Sequence, residues 1–159
     1  MDKDILTAAL GAAGWIVAVI TLVMGYRERK SAREEERLSK TLDYFDGGSQ
    51  RRSIGISLIE GVWLKNPRYH SVLVPLVANQ IVYLLLSTES RDAHNERNLV
   101  RLVMILKAIP NLKQNYFDKW ADVCDAINRK HGAGEPKGIP ISEPTLKRWA
   151  EALGGEIQA

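Results

Sequence analysis

The sequence predicts an all-α protein: an N-terminal transmembrane helix continuing into a charged stalk, then a small helical bundle or helical-repeat-like domain of about five helices. Three observations carry that expectation. Residues 5–26 contain no charged side chain. The stretch that follows, RERKSAREEERLSK, is polar on every side and free of Gly and Pro. From residue 50 onward apolar residues return at i, i+3 and i+4, the spacing of helices that hide one face, and no segment alternates long enough for a strand. The resulting division is an anchor over 1–26, a helical stalk over 27–46 and a cytoplasmic domain over 49–159.

The anchor reads ILTAALGAAGWIVAVITLVMGY from Ile5 to Tyr26, 22 residues. At ~1.5 Å per residue it makes ~33 Å of helix, which matches a hydrocarbon core of ~30 Å. Cleaved signal peptides open with basic residues and keep a shorter apolar core. This chain begins Asp2-Lys3-Asp4, so an uncleaved span is expected. Arg27, Arg29, Lys30 and Arg33 follow the span, against Lys3 alone before it. Basic flanks stay cytoplasmic, which puts the N-terminus outside the cell's inner (plasma) membrane, the domain inside, and the four cations beside the lipid headgroups. Within the span Thr7, Gly11, Gly14, Ala18, Thr21 and Gly25 share one stripe. Small residues let helices approach closely in lipid, so a homo-oligomer formed through this face is expected.

Glu36 and Lys40 form an i,i+4 pair in the favourable order near the end of the stalk. Leu38, Leu42 and Phe45 then return at helical spacing, so the last turns of the stalk are expected to dock on the domain, and Gly47-Gly48 ends them. Ser49 is a candidate cap for a helix over about 50–64 with an inward stripe of Ile54, Leu58, Val62 and Trp63. Asn66-Pro67 closes it. A third helix, about 71–87, is apolar nearly all round. It is too short to span comfortably and carries Asn79 and Gln80 at its middle, so it reads as a buried central helix rather than a second membrane element. Pro75 lies near its start. Helices over about 95–109 (Leu99, Leu102, Val103, Leu106) and 112–130 (Leu112, Tyr116, Trp120, Val123, Cys124, Ile127) follow. A Gly- and Pro-rich loop then leads to Ser142, a candidate cap for a last short helix bearing Leu146, Trp149 and Leu153.

Two helix pairs, 50–87 and 95–130, each turn at a proline, Pro67 and Pro110, 43 residues apart. That period lies in the range of HEAT and armadillo units. The segments RRSIGISLIEG, NQIVYLLLST and NERNLVRLVMIL resemble those of uncharacterised bacterial single-pass membrane-anchored proteins with a short HEAT/armadillo-like module. The resemblance covers about 60 residues and implies a helical scaffold for binding, with no reaction attached.

Composition and motifs narrow the function classes. With 22 Lys and Arg against 19 Asp and Glu the net charge is +3, and the two signs are interleaved, so no nucleic-acid partner is expected. The single Cys124 excludes an intrachain disulfide and a multi-cysteine metal site. His70, His94 and His131 have no second ligand at metal spacing, and the arginine that precedes the histidine in HEPN ribonucleases is absent at all three. Phosphate-loop and serine-elbow motifs are absent too, so neither enzyme activity nor a cofactor is expected. The densest cluster of versatile side chains is the polar insert of residues 88–98, where Arg91, Asp92, His94, Glu96 and Arg97 form a candidate partner surface, with Asp92 or Asn95 placed to cap the next helix. Gln50-Arg51-Arg52 is a second, basic candidate. The expected function is a membrane-tethered interaction or scaffold module that recruits an unknown cytoplasmic protein or a second copy of itself at the bilayer. The alternative is a membrane-perturbing effector or accessory of a bacterial stress or phage-defence system, and a membrane-bound enzyme of unrecognised class ranks third.

Overall fold

Nothing from Lys3 to Leu42 breaks a helix: there is no proline, and the glycines stand singly among strong helix formers. In the computed structural model, which describes residues 3–87, 92–132 and 139–155, with side chains from Ile20 onward, this stretch is one helix, α1 (Lys3–Leu42). All regular elements among the described residues are helices, with no strand. They divide into two compact units, Met1–Lys40 and Thr41–Ala159.

In the first unit the expected pair forms, with Lys40 Nζ 2.7 Å from Glu36 Oε1. Arg27, Arg29, Lys30 and Arg33 are exposed. Of the small-residue stripe, Thr21 is exposed and Gly25 half-buried, while the side chains of Thr7, Gly11, Gly14 and Ala18 lie outside the described residues.

The second unit begins before residue 49, because it takes in Thr41–Asp46. After Leu42 the chain makes one 3-10 turn, Asp43–Asp46. Its Phe45 is buried against Gly55, where an added Cβ would lie 2.7 Å from the ring. Trp63 donates from Nε1 to Thr41 Oγ1 at 3.1 Å and meets the Tyr69 ring edge-on at 5.0 Å. The helices of this unit are α2 (Ser49–Leu58), continued by a π turn over Ile59–Trp63, then α3 (His70–Leu86), α4 (Ala93–Lys107), α5 (Leu112–Asn115), α6 (Phe117–Gly132) and α7 (Glu143–Ala152).

α3 is the centre. Leu73, Val74, Val77, Ala78, Ile81, Leu84 and Leu85 are all buried, and its main neighbours are α4 and α6. Among the residues whose side chains are described, Pro67–Leu86 is the one stretch long and apolar enough to cross a membrane, and half of it is buried inside the protein. Pro75 sits in its second turn, where it withdraws only the donor that the exposed Ser71 carbonyl would otherwise take.

Three expectations need correction. The inward stripe of α2 is not Ile54, Leu58 and Val62. Ile54 and Val62 are exposed and Leu58 half-buried, whereas Arg52, Gly55, Ile56, Ile59 and Trp63 face inward. The glycine decides this, because only that face lets Phe45 come so close. The helix expected over 112–130 is broken at Tyr116, whose φ of −140° leaves α5 a single turn behind the left-handed Asn111. Ser49 is the first residue of α2 rather than its cap, a place held by Gly48, and its hydroxyl donates to Asp92 instead.

The burial pattern repeats. Moving along the chain by 43 residues, the separation of the hydrogen-bonded pair Arg52 and Asn95, carries Gly55 to Asn98, Ile56 to Leu99, Ile59 to Leu102, Trp63 to Leu106, Pro67 to Pro110, Tyr69 to Leu112 and Leu84 to Ile127. All of these except the prolines are buried at both positions. A larger offset matches Leu146, Trp149, Ala150 and Leu153 of the α7 region to Asn95, Asn98, Leu99 and Leu102, again all buried. The spacing of buried positions thus matches over two helix–proline turn–helix stretches and the helix that follows them. The 3-10 turn at Asp43–Asp46 covers the Gly55 face of α2, as α2 covers the matching Asn98 face of α4.

Candidate functional site

α2 and α4 lie side by side and parallel, since rising numbers on one pair with rising numbers on the other. Their seam is polar. Ser49 donates its hydroxyl to Asp92 and its carbonyl accepts from Asn98 Nδ2 at 2.9 Å, and Arg52 Nη1 donates to Asn95 Oδ1 at 2.6 Å. Further along, Arg101 grips Glu60 through Nε to Oε1 at 3.1 Å and Nη2 to Oε2 at 2.5 Å, and also donates to the hydroxyls of Ser53 (3.2 Å) and Ser57 (2.8 Å). A planar guanidinium suits such a fork of acceptors. Arg52 is the odd member. It is buried with no carboxylate beside it among the described residues, its Nε has no hydrogen-bond partner, and the Tyr83 ring lies 5.7 Å away. Burial lowers its pKa, yet a guanidinium stays charged.

Between α4 and α7 the equivalent seam is open. The positions of α4 that match Ser53, Ser57 and Glu60 are Glu96, Val100 and Val103, and the position of α7 that matches Arg101 is Ala152. With no bridging side chain there, a cleft of about 940 Å³ remains, lined by those four residues together with Met104 and Trp149 among others. Its volume is that of a ligand-sized pocket. Met104 is 58% exposed, in a helix whose other large apolar residues are mostly buried. Glu96, Lys107, Arg148 and Glu151 stand exposed at the edge. Glu96, Lys107 and Glu151 have no ion-pair partner among the described residues, and Arg148 reaches only the Thr145 hydroxyl, at 3.3 Å. Elsewhere on the domain many charges are paired, as in Arg129 with Asp125 and Lys147 with Glu143.

α7 is held chiefly on α6. Trp120 of α6 donates from Nε1 to the Leu153 carbonyl at 2.7 Å, His131 Nε2 lies 2.9 Å from Glu143 Oε1, and Gly155 is packed so tightly on Cys124 that a Cβ would sit 2.9 Å from Sγ. The His131 contact, seconded by Lys147, lowers the Glu143 pKa, and burial raises that of Cys124. Gly154, at φ +72°, ends the helix.

The residues singled out in the sequence are dispersed. Asp92 caps α4, accepting from the His94 N–H at 3.0 Å. The Ser49 hydroxyl, with that N–H second, lowers its pKa. Glu96 lines the cleft, whereas the exposed His94 and Arg97 are not among its lining residues, and Arg91 lies outside the described residues. In Gln50-Arg51-Arg52 the first two are exposed and Arg52 is buried. Sequence reasoning missed the cleft because its walls are separated by the whole of α5 and α6. The one available signal was the apolar surplus of Val100 and Met104 on the outer side of an otherwise regular amphipathic helix. Among the described residues no three His, Cys, Asp or Glu side chains gather closely enough to hold a metal ion. Compared with known proteins, the chain matches no family model, no curated protein and no solved structure.

Proposed function

We propose that the protein is a membrane-tethered interaction module: α1 anchors it in the inner membrane and the helical-repeat-like domain receives a protein partner on the cytoplasmic side. The observation that carries the reading is the character of α1. Ile20, Leu22, Val23, Met24 and Tyr26 are all exposed, spread over more than half of the helix's circumference, and the same helix runs without a break into a solvated, charged stretch. Large apolar side chains exposed over so broad an arc of a helix call for an apolar medium. The stripe of small residues offers a contact for a second copy in the bilayer, and the cleft between α4 and α7 offers a place for a partner.

The membrane-perturbing alternative draws little support from the apolar helix 70–86, most of whose large side chains are buried, with α4 and α6 as its main neighbours, while Val72 and Tyr83 are exposed. Fractionation tests the proposal. The protein should stay with membranes through carbonate extraction, and a reporter active only in the cytoplasm should be active when fused after Ala159. Recovery in the soluble fraction, or an inactive reporter, would overturn it.

A further inference from the structure

We infer that the edge of the domain where α2 turns into α3 and α4 into α5 lies on the anionic headgroups of the membrane that α1 spans. This rests on the tether proposed above and adds a second, weaker contact that orients the domain on the bilayer.

The two turns share one edge. α2 and α4 run parallel, tied by Arg52 to Asn95 and again by Arg101 to Glu60, so their C-terminal ends emerge together, and α3 and α5 begin there. From Gly61 to Val72 and from Leu102 to Phe117 there is no Asp or Glu, in a chain that has 19, while Lys65, Arg68, Lys107 and Lys113 are all exposed. Glu151 lines a cavity with Lys107 and Lys113, and Asp118 follows Phe117, but the cations remain in excess. Helix dipoles account for part of this, since Lys65 and Lys107 lie at the C-terminal ends of α2 and α4, which favour a cation. Arg68 stands immediately before α3 and Lys113 in the single turn of α5, at helix starts, where the dipole opposes them.

Large apolar side chains are exposed along the same edge: Val62 at 55%, Val72 at 41% and Phe117 at 57%. The Phe117 ring lies 5.6 Å from that of Trp120, over which Lys113 Nζ sits at 4.4 Å. Cations beside exposed aromatic and aliphatic side chains are the composition of surfaces that lie in the headgroup layer, where the apolar parts reach toward the acyl chains and the charges meet lipid phosphates. A nucleic-acid backbone would use the charges and leave Val62, Val72 and Phe117 in water. Chain length points to this bilayer. Thr41, the first residue of the unit, accepts from Trp63, next to Val62. From Tyr26, the end of the apolar span, to Thr41 the helix is unbroken and rises ~22 Å. A tether that short keeps the edge at high effective concentration beside the membrane, so a weak surface suffices.

Lysine footprinting of the full-length protein, reconstituted in nanodiscs of phosphatidylcholine alone or with phosphatidylglycerol added, tests this. Acylation of Lys65, Lys107 and Lys113 should fall at least about threefold in the anionic discs. That of Lys147, in the first half of α7, should not change, and the protection should fade as salt rises. Arg68→Gln should reduce the protection at the three lysines, and so should Val62→Ser with Phe117→Ser, at two exposed positions outside the core. Equal labelling in the two kinds of disc, protection indifferent to the Val62 and Phe117 changes, or protection produced in phosphatidylcholine discs by inorganic phosphate or an RNA oligonucleotide would overturn the inference. A chain that enters neither disc would overturn the tether and this inference with it, a result that carbonate extraction and the reporter fusion reach independently.

Discussion

Arg101 joins α4 to α2 through one carboxylate and two hydroxyls, and is the residue whose absence from α7 leaves the cleft open. Arg101→Ala should cost about 1–3 kcal/mol in chemical denaturation, since Glu60 would lose both donors in a half-buried seam. Asp92 gives a prediction in pH. Its carboxyl is held below the ordinary aspartate value by the Ser49 hydroxyl and the His94 N–H, so it ionises more readily folded than unfolded. Its contribution is therefore complete above the unfolded value and fades as pH falls through the lower folded one. Asp92→Asn should flatten the acid limb of a stability-against-pH curve and leave wild type and variant alike at the acid extreme. Capping by Asp92 was legible in the sequence, because a short acceptor before an apolar run needs no distant information. The burial of Arg52 was not. It depends on Asn95 and Tyr83, which the fold brings to it from α4 and α3.

Elements with one dominant apolar stripe were read correctly. α4 buries Leu99, Leu102, Val103 and Leu106, and α7 buries Leu146, Trp149 and Leu153. The central helix was legible from its all-round apolarity and its length, and Leu84, fully buried in it, makes the test. Leu84→Ala should cost ~2–5 kcal/mol and keep the helical content, as circular dichroism under denaturant would measure. α2 was misread because it offers two stripes at helical spacing, one of large residues and one containing Gly55. Periodicity weighs side-chain size, whereas the structure is decided by how near Phe45 can come. The break at Tyr116 escaped for a related reason. The sequence LKQNYFDKW carries neither Gly nor Pro, and the turn there is imposed by Asn111 in a left-handed conformation and by the packing of α6.

For the whole molecule, the all-helical architecture and the long initial helix could be read from charge distribution and periodicity, which are properties of contiguous sequence. The cleft joins residues from 96 to 152 and emerges only once α4 and α7 are laid side by side. Association between copies belongs at this scale. Gly14→Ile puts a branched side chain into the small-residue stripe of α1 while keeping it apolar, so membrane insertion should persist and cross-linked dimer should fall, with Val17→Ile as the control. Equal association of the two variants would reduce the stripe to composition. The support of α7 by α6 carries one more consequence. A terminal helix resting mainly on one neighbour opens as its own cooperative segment, ahead of global unfolding, so amide hydrogens of residues 146–153 should exchange faster than those of α3 or α4. Each opening removes a wall of the cleft, which lowers the apparent affinity of any guest by the fraction of time α7 is attached. A bound guest should therefore slow exchange in α7 above all.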